Sequence, residues 1–212
     1  PVATAKGWID QGAGWIHMVN LDGAFAAAND NGRILKVTAG LGTRIQFGGG
    51  LRSMNDIDHA MTQGAARVVL GTVAVKEPAV VAAAVERYGA EAVCVALDAR
   101  DGKITTHGWQ QSAELTPVEF GKRMVDIGVR HALYTDVSRD GQLSGVDVTG
   151  TVQLAEVTGL QVIASGGVRD LDDIRALAVS GSVAGVVIGM ALYTGQFTLS
   201  EAMTVAGENH AG

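Results

Sequence analysis

Two glycine clusters carry the first chemical signal in this chain. Gly48-Gly49-Gly50 follows an apolar run and precedes a helical stretch, and Ser165-Gly166-Gly167 does the same. In a parallel α/β protein, such clusters put bare backbone N–H groups at the carboxyl end of a strand beside a helix N-terminus. That arrangement suits a phosphate. Each cluster has a companion one unit later: Gly71-Thr72 after Val68-Val69-Leu70, and Gly189-Met190 after Val186-Val187-Ile188. Two adjacent loops per phosphate, repeated on opposite sides of a barrel, predict a substrate with a phosphate at each end. The same glycines could instead make tight turns and bind nothing.

Carboxylates lie between the clusters in sequence. Asp98 follows the apolar run Ala92–Leu97. At the carboxyl end of a barrel strand it would face the mouth, where partial burial raises a carboxyl toward a general acid's working range. Because Ala99-Arg100-Asp101-Gly102 follows, a cap or turn role is the competing reading. Thr135-Asp136-Val137-Ser138-Arg139-Asp140-Gly141 offers a hydroxyl and two carboxylates, though Asp140-Gly141 could be only a turn, as could Asp22-Gly23. Trp109 could stack on a planar base or cover the barrel rim. His17, His59, His131 and His210 share no metal-ligand spacing, so no metal site is expected, and Cys94 reads as core.

These residues need parallel strands to bring them together. Seven branched apolar runs read as buried strands: Trp15–Leu21, Arg44–Phe47, Arg67–Leu70, Ala92–Leu97, His131–Thr135, Gln161–Ala164 and Gly185–Ile188. Eight helical stretches lie among them, and no hairpin signal is read, so the order implies parallel strands with right-handed crossovers. Thr116 before Pro117, with Glu119 three residues on, marks one helix start. Gly49–Ile57 laid on Gly166–Ile174 matches at five of nine positions at an offset of 117, and Asp22 falls opposite Asp140 at 118. A half repeated once favours a (β/α)8 barrel over an open sheet. The expectation is a single TIM-type barrel domain over residues 1–212 with seven strands and eight helices, its first strand missing and two sheet edges open.

Composition bounds the rest. The 212 residues are 47% hydrophobic and 18% charged, which suits a globular fold and neither disorder nor a membrane span. Sixteen Lys and Arg against 22 Asp and Glu give a net charge of −6, so a broad nucleic-acid surface is not expected. One cysteine excludes an internal disulfide framework and a multi-cysteine zinc site. No secretory signal is read, and the expected location is the cytoplasm.

Taken in order, Val19-Asn20-Leu21-Asp22-Gly23-Ala24, Gly48-Gly49-Gly50-Leu51-Arg52, Ala96-Leu97-Asp98-Ala99-Arg100-Asp101-Gly102, Thr106-His107-Gly108-Trp109, Tyr134–Gly141, Ala164-Ser165-Gly166-Gly167 and Gly189-Met190-Ala191-Leu192-Tyr193 resemble the phosphoribosylformimino-5-aminoimidazole carboxamide ribotide isomerase family of histidine biosynthesis. The resemblance covers nearly the whole chain. It implies a (β/α)8 barrel and a cofactor-free Amadori rearrangement of a bisphosphorylated aminoaldose. It implies that Asp98 is the general acid, that Thr135 holds the reacting ribose, and that Asp140 contacts substrate near the same centre. The implied substrate and phosphate contacts are Asp22, Gly49, Gly50, Arg52, Gly71, Thr72, Trp109, Gly166, Gly167, Gly189 and Met190. Members of the family begin with a strand that carries a second aspartate, the proposed general base. Without it, weak turnover, or closure of the gap by self-association, is expected. A catalytically silent phosphate-binding or structural remnant, or a fragment of a longer gene, is the alternative. Asn20 stands where many members have an acidic residue. Thr105-Thr106-His107 lacks the arginine-bearing stretch of bifunctional relatives, which argues against activity on the tryptophan-pathway substrate.

Overall fold

A computed structural model describes residues 1–24, 31–106 and 110–207. Its frame is a parallel sheet ordered β1 (Trp15–Val19), β2 (Arg44–Gly48), β3 (Arg67–Leu70), β4 (Val93–Arg100), β7 (His131–Asp136), β8 (Gln161–Ser165) and β9 (Val183–Val186). These seven strands match the expected runs closely. The last begins two residues early, where its register with β8 shifts between Val162 and Ile163.

Eight helices of nine or more residues were found among the described residues. They are α1 (Val2–Asp10), α3 (Asn31–Ala39), α4 (Met54–Thr62), α6 (Pro78–Tyr88), α7 (Pro117–Asp126), α8 (Val148–Thr158), α9 (Leu171–Val179) and α11 (Leu199–Gly207). Three short ones, α2 (Leu21–Ala24), α5 (Thr72–Lys76) and α10 (Met190–Tyr193), follow β1, β3 and β9 directly. The Thr116 cap forms as a reciprocal box: the Glu119 amide donates to the Thr116 hydroxyl at 3.2 Å, and Glu119 Oε2 accepts the Thr116 amide at 2.9 Å. Ser53 with Asp56 does the same for α4.

One expectation is corrected. Asp98 does not end its strand: β4 runs on to Arg100 and folds back through Asp101-Gly102 into β5 (Lys103–Thr106), which pairs antiparallel with β6 (Gln111–Ser112). Asp101 and Gly102 adopt φ of 52° and 75°, the left-handed pair that a tight hairpin requires and that an Asp-Gly step supplies. The turn noted after Asp98 is therefore a hairpin.

Strand alternation sorts side chains into two environments. Val93, Val95 and Leu97 point outward into the main core with Val68, Leu70, Phe120, Met124 and Leu154. Cys94 and Leu133 point inward with Val69, Ala96 and Ile163. Below that apolar interior, at the amino ends of the strands, lies a polar floor. Arg67 donates from Nε to the Glu91 carbonyl (2.9 Å), its Nη2 lies 3.1 Å from His131 Nε2, and Gln46 bonds His17 Nδ1 at 3.2 Å. Both end strands, β1 and β9, line one cavity of about 860 Å³, together with Trp8 of α1, Arg67, His131 and Ile163. The sheet therefore curls into an open barrel. Trp8 and Tyr193 meet edge-to-face across the seam at 5.9 Å.

Candidate active site

At the carboxyl ends of the strands the inward positions turn polar again. The register pairs Asp98 with Thr135, and Thr135 with Ser165, so three adjacent strands carry a row of side chains at one level. Thr135 is buried, whereas Asp98 is half-buried. The β4–β5 hairpin is tied over this row by Thr105, whose hydroxyl donates to the Asp98 carbonyl at 3.1 Å.

Beyond β7 the chain loops through residues 137–147 before α8. Asp140 of this loop lines a pocket of about 240 Å³ with Ser165, Gly166, Gly167, Gly189 and Met190. The second expected cradle and Asp140 are thus brought together. Burial pushes the Asp140 carboxyl above its ordinary range, opposed by the Gly141 amide. Tyr134 is held beneath by its hydroxyl, which donates to Asp147 at 2.9 Å.

Gly49, Gly50, Gly71 and Thr72 emerge from the adjacent strands β2 and β3, where Gly48 pairs with Val69. A methyl group on Gly49 would strike the Asn20 carbonyl, and one on Gly50 would lie 2.7 Å from the Gly23 backbone. Arg52 donates from Nη2 to the Gly23 carbonyl at 2.7 Å, clamping α2, which carries Asp22. In the second half, a methyl group on Gly167 would sit 2.5 Å from the Gly145 carbonyl oxygen and 2.9 Å from Arg139 Cβ. Each glycine pair therefore lets its loop press on the backbone of the loop from the preceding parallel strand. This packing demand comes on top of any ligand's.

Within the sheet order, the β2–β3 loops lie on one side of Asp98 and Thr135 and the β8–β9 loops on the other, all at the same end of the strands. Asp22 sits exposed in α2, beside the first pair. Trp109 lies outside the described residues. Ser165, which the motifs mark only as the start of its glycine cluster, joins the row as a side chain. Alternation counted back from Thr135 and across to β8 was the signal that could have found it. His17 and His131 belong to the floor at the opposite end, and the Cys94 thiol is pushed up to about 12 by burial. Among the described residues no three His, Cys, Asp or Glu side chains converge as a metal would require, and no helix is long and apolar enough to cross a membrane.

Parallel strands that alternate with helices and curl around an apolar interior define a TIM-type barrel protein, and the inward polar row at the strand C-termini is its candidate site. The chain belongs to the histidine biosynthesis protein family, whose model matches residues 1–198. It is 44% identical over 211 residues to a 1-(5-phosphoribosyl)-5-((5-phosphoribosylamino)methylideneamino)imidazole-4-carboxamide isomerase from Moorella thermoacetica, covering 98% of this chain and 86% of that one. Isomerases of the same name from Geobacillus kaustophilus and Roseiflexus castenholzii are 43% and 44% identical over 211 and 204 residues. The Geobacillus match covers 98% of this chain and 86% of the relative, the Roseiflexus match 96% and 85%. The family resemblance drawn from the motifs is borne out.

Proposed function

We propose that this chain catalyses an intramolecular aldose–ketose isomerisation, an Amadori rearrangement of a bisphosphorylated aminoaldose in histidine biosynthesis, in the cytoplasm. The observation that carries the reading is the Asp98–Thr135 row with glycine loops on both flanks of one rim. Similarity to three isomerases over almost the whole chain supports it.

In this reading Gly49, Gly50, Gly71 and Thr72 hold one terminal phosphate, and Gly166, Gly167, Gly189 and Met190 hold the other. Thr135 steadies the ribose between them. Asp98 gives its proton to the ring oxygen as the C1–O bond breaks, leaving a C1 iminium. Solvent water takes the C2 proton to give an enaminol; protonation at C1 with loss of the C2 hydroxyl proton gives the aminoketose, and a proton returns to Asp98. Carbon 1 is reduced and carbon 2 oxidised within one molecule, so the step balances without an external oxidant. In the same reading Asp140, half-buried beside Gly166, contacts the substrate near the reacting centre. Among the described residues β1 and β9 each pair on one side only, and such strand edges favour self-association because they recruit further strands.

A steady-state assay with the aminoaldose tests the proposal. Turnover that falls by roughly 10²–10⁴-fold in Asp98→Asn is expected. Product binding without turnover would instead select the silent phosphate-binding remnant. Neither turnover nor product binding at millimolar concentration would overturn the reading.

A further inference from the structure

The loop that carries Asp140 is cross-braced by its neighbour in sequence. Arg139 donates from Nε to Asp136 Oδ2 at 3.0 Å and from Nη1 to the Gly145 carbonyl at 3.2 Å. One planar guanidinium thereby ties the strand end to the returning limb of the loop. Its two ends are fixed in turn. Asp136 Oδ1 accepts the Ser138 amide at 3.0 Å and the Ser138 hydroxyl at 2.6 Å. The Gly145 amide donates to the Gly167 carbonyl at 2.9 Å, which joins the brace to the glycine cradle. Asp140 hangs between these anchor points, its Cβ and Oδ1 both 3.3 Å from the position a Gly166 methyl would take.

We propose that Arg139 is a positioning residue for Asp140: by spanning Asp136 and Gly145 it holds the Asp140 carboxyl over the pocket formed with Gly166 and Gly167. The proposal rests on the reading of Asp140 as a substrate-facing group. A fork is needed because two acceptors on separate limbs must be met at once. A lysine ammonium keeps the charge but not that span. The guanidinium directs its donors at Asp136 and Gly145, so the positive charge is engaged there. The other acidic groups around the loop are also committed: Asp147 accepts the Tyr134 hydroxyl at 2.9 Å, and Asp173 accepts the Arg169 amide at 2.8 Å. Burial therefore acts on Asp140 as long as the brace holds the loop shut.

The test is a carbon-13 carboxyl NMR titration of Asp140 in the free chain, comparing wild type with Arg139→Ala, Arg139→Lys and Asp136→Asn. The titration midpoint should fall toward the ordinary aspartate range in Arg139→Ala and Arg139→Lys as the loop opens to water. In Asp136→Asn it should also fall, because the released guanidinium is free to swing to Asp140. Lysine carries the test should alanine unfold the loop. With the aminoaldose as substrate, Arg139→Ala should lower kcat on the order of 10²-fold with little change in KM. A midpoint unchanged in all three variants would overturn the brace. Failure of Asp140→Asn to alter turnover would instead overturn the substrate-facing reading, and the titration would still judge the brace on its own.

Discussion

Replacing Gly167 with alanine probes whether the cradle is held by loop pressing on loop. Gly167 adopts φ of 81°, and an added Cβ would sit 2.5 Å from the Gly145 carbonyl oxygen, a backbone atom with no freedom to swing aside. The left-handed backbone alone costs an L-residue roughly 1–2 kcal/mol. Overpacking adds about 1–3 kcal/mol, so about 2–5 kcal/mol of stability should be lost. Gly159→Ala isolates the first contribution. Gly159 adopts φ of 74° at the end of α8, with nothing within 4 Å of the new methyl group. Its loss should stop at roughly 1–2 kcal/mol. Urea unfolding of both variants, with titration of the bisphosphorylated aminoketose, reads the two effects together. Gly167→Ala should be the less stable and should bind more weakly, whereas Gly159→Ala should bind like the parent. Equal losses within about 0.5 kcal/mol, inside the usual scatter of surface substitutions, would refute the close-approach argument.

Three further outcomes follow from named side chains. Asp98→Asn should lower turnover by roughly 10²–10⁴-fold while leaving product affinity near wild type, measured by steady-state kinetics and calorimetry; unchanged turnover would remove Asp98 as the acid. His17 is pulled down from 6.5 to about 4 by burial, so the folded state favours its neutral form. Its contribution to stability is complete above pH 6.5 and declines as pH falls toward 4, where the unfolded chain takes up a proton and the folded chain does not. Urea melts across that window should show a shallower pH dependence in His17→Gln, and an identical slope would contradict the assignment. Cys94, inward-facing with its thiol pushed up to about 12, should resist iodoacetamide at neutral pH until urea unfolds the chain. Rapid labelling of the folded protein would show that the barrel interior is open to reagent.

The strands were legible because Arg67–Leu70 and His131–Thr135 are short branched runs bounded by turn residues. The repeated motif, Gly49–Ile57 against Gly166–Ile174, marked the two glycine clusters as corresponding positions. Three features escaped for physical reasons. The β4–β5 hairpin hides in a polar, threonine-rich stretch whose Asp-Gly step also reads as an ordinary turn. Gly185 inside the run Val183–Ile188 reads as the punctuation that opens the last strand, whereas β9 begins two residues before it. Alternation tells which residues share a face but not which face is interior, so Arg67, Gln46 and His131 could not be assigned to a floor. Within the site, the resemblance implied Asp140 as a substrate contact and spacing grouped only Gly166, Gly167, Gly189 and Met190, which the pocket brings to Asp140. Spacing did not disclose that Arg52 and Arg139 clamp backbone carbonyls, because a guanidinium's partner is set by tertiary approach.

If one rim holds two phosphate cradles with a proton donor between them, a doubly phosphorylated ligand must reach both at once. Amide chemical-shift mapping of the chain during titration with the bisphosphorylated aminoketose tests it without requiring turnover. Amides at Gly49–Gly50 and Gly71–Thr72 should move together with those at Gly166–Gly167 and Gly189–Met190, along one saturation curve. Shifts confined to one cluster, or gathered at the Arg67–His131 floor, would contradict it.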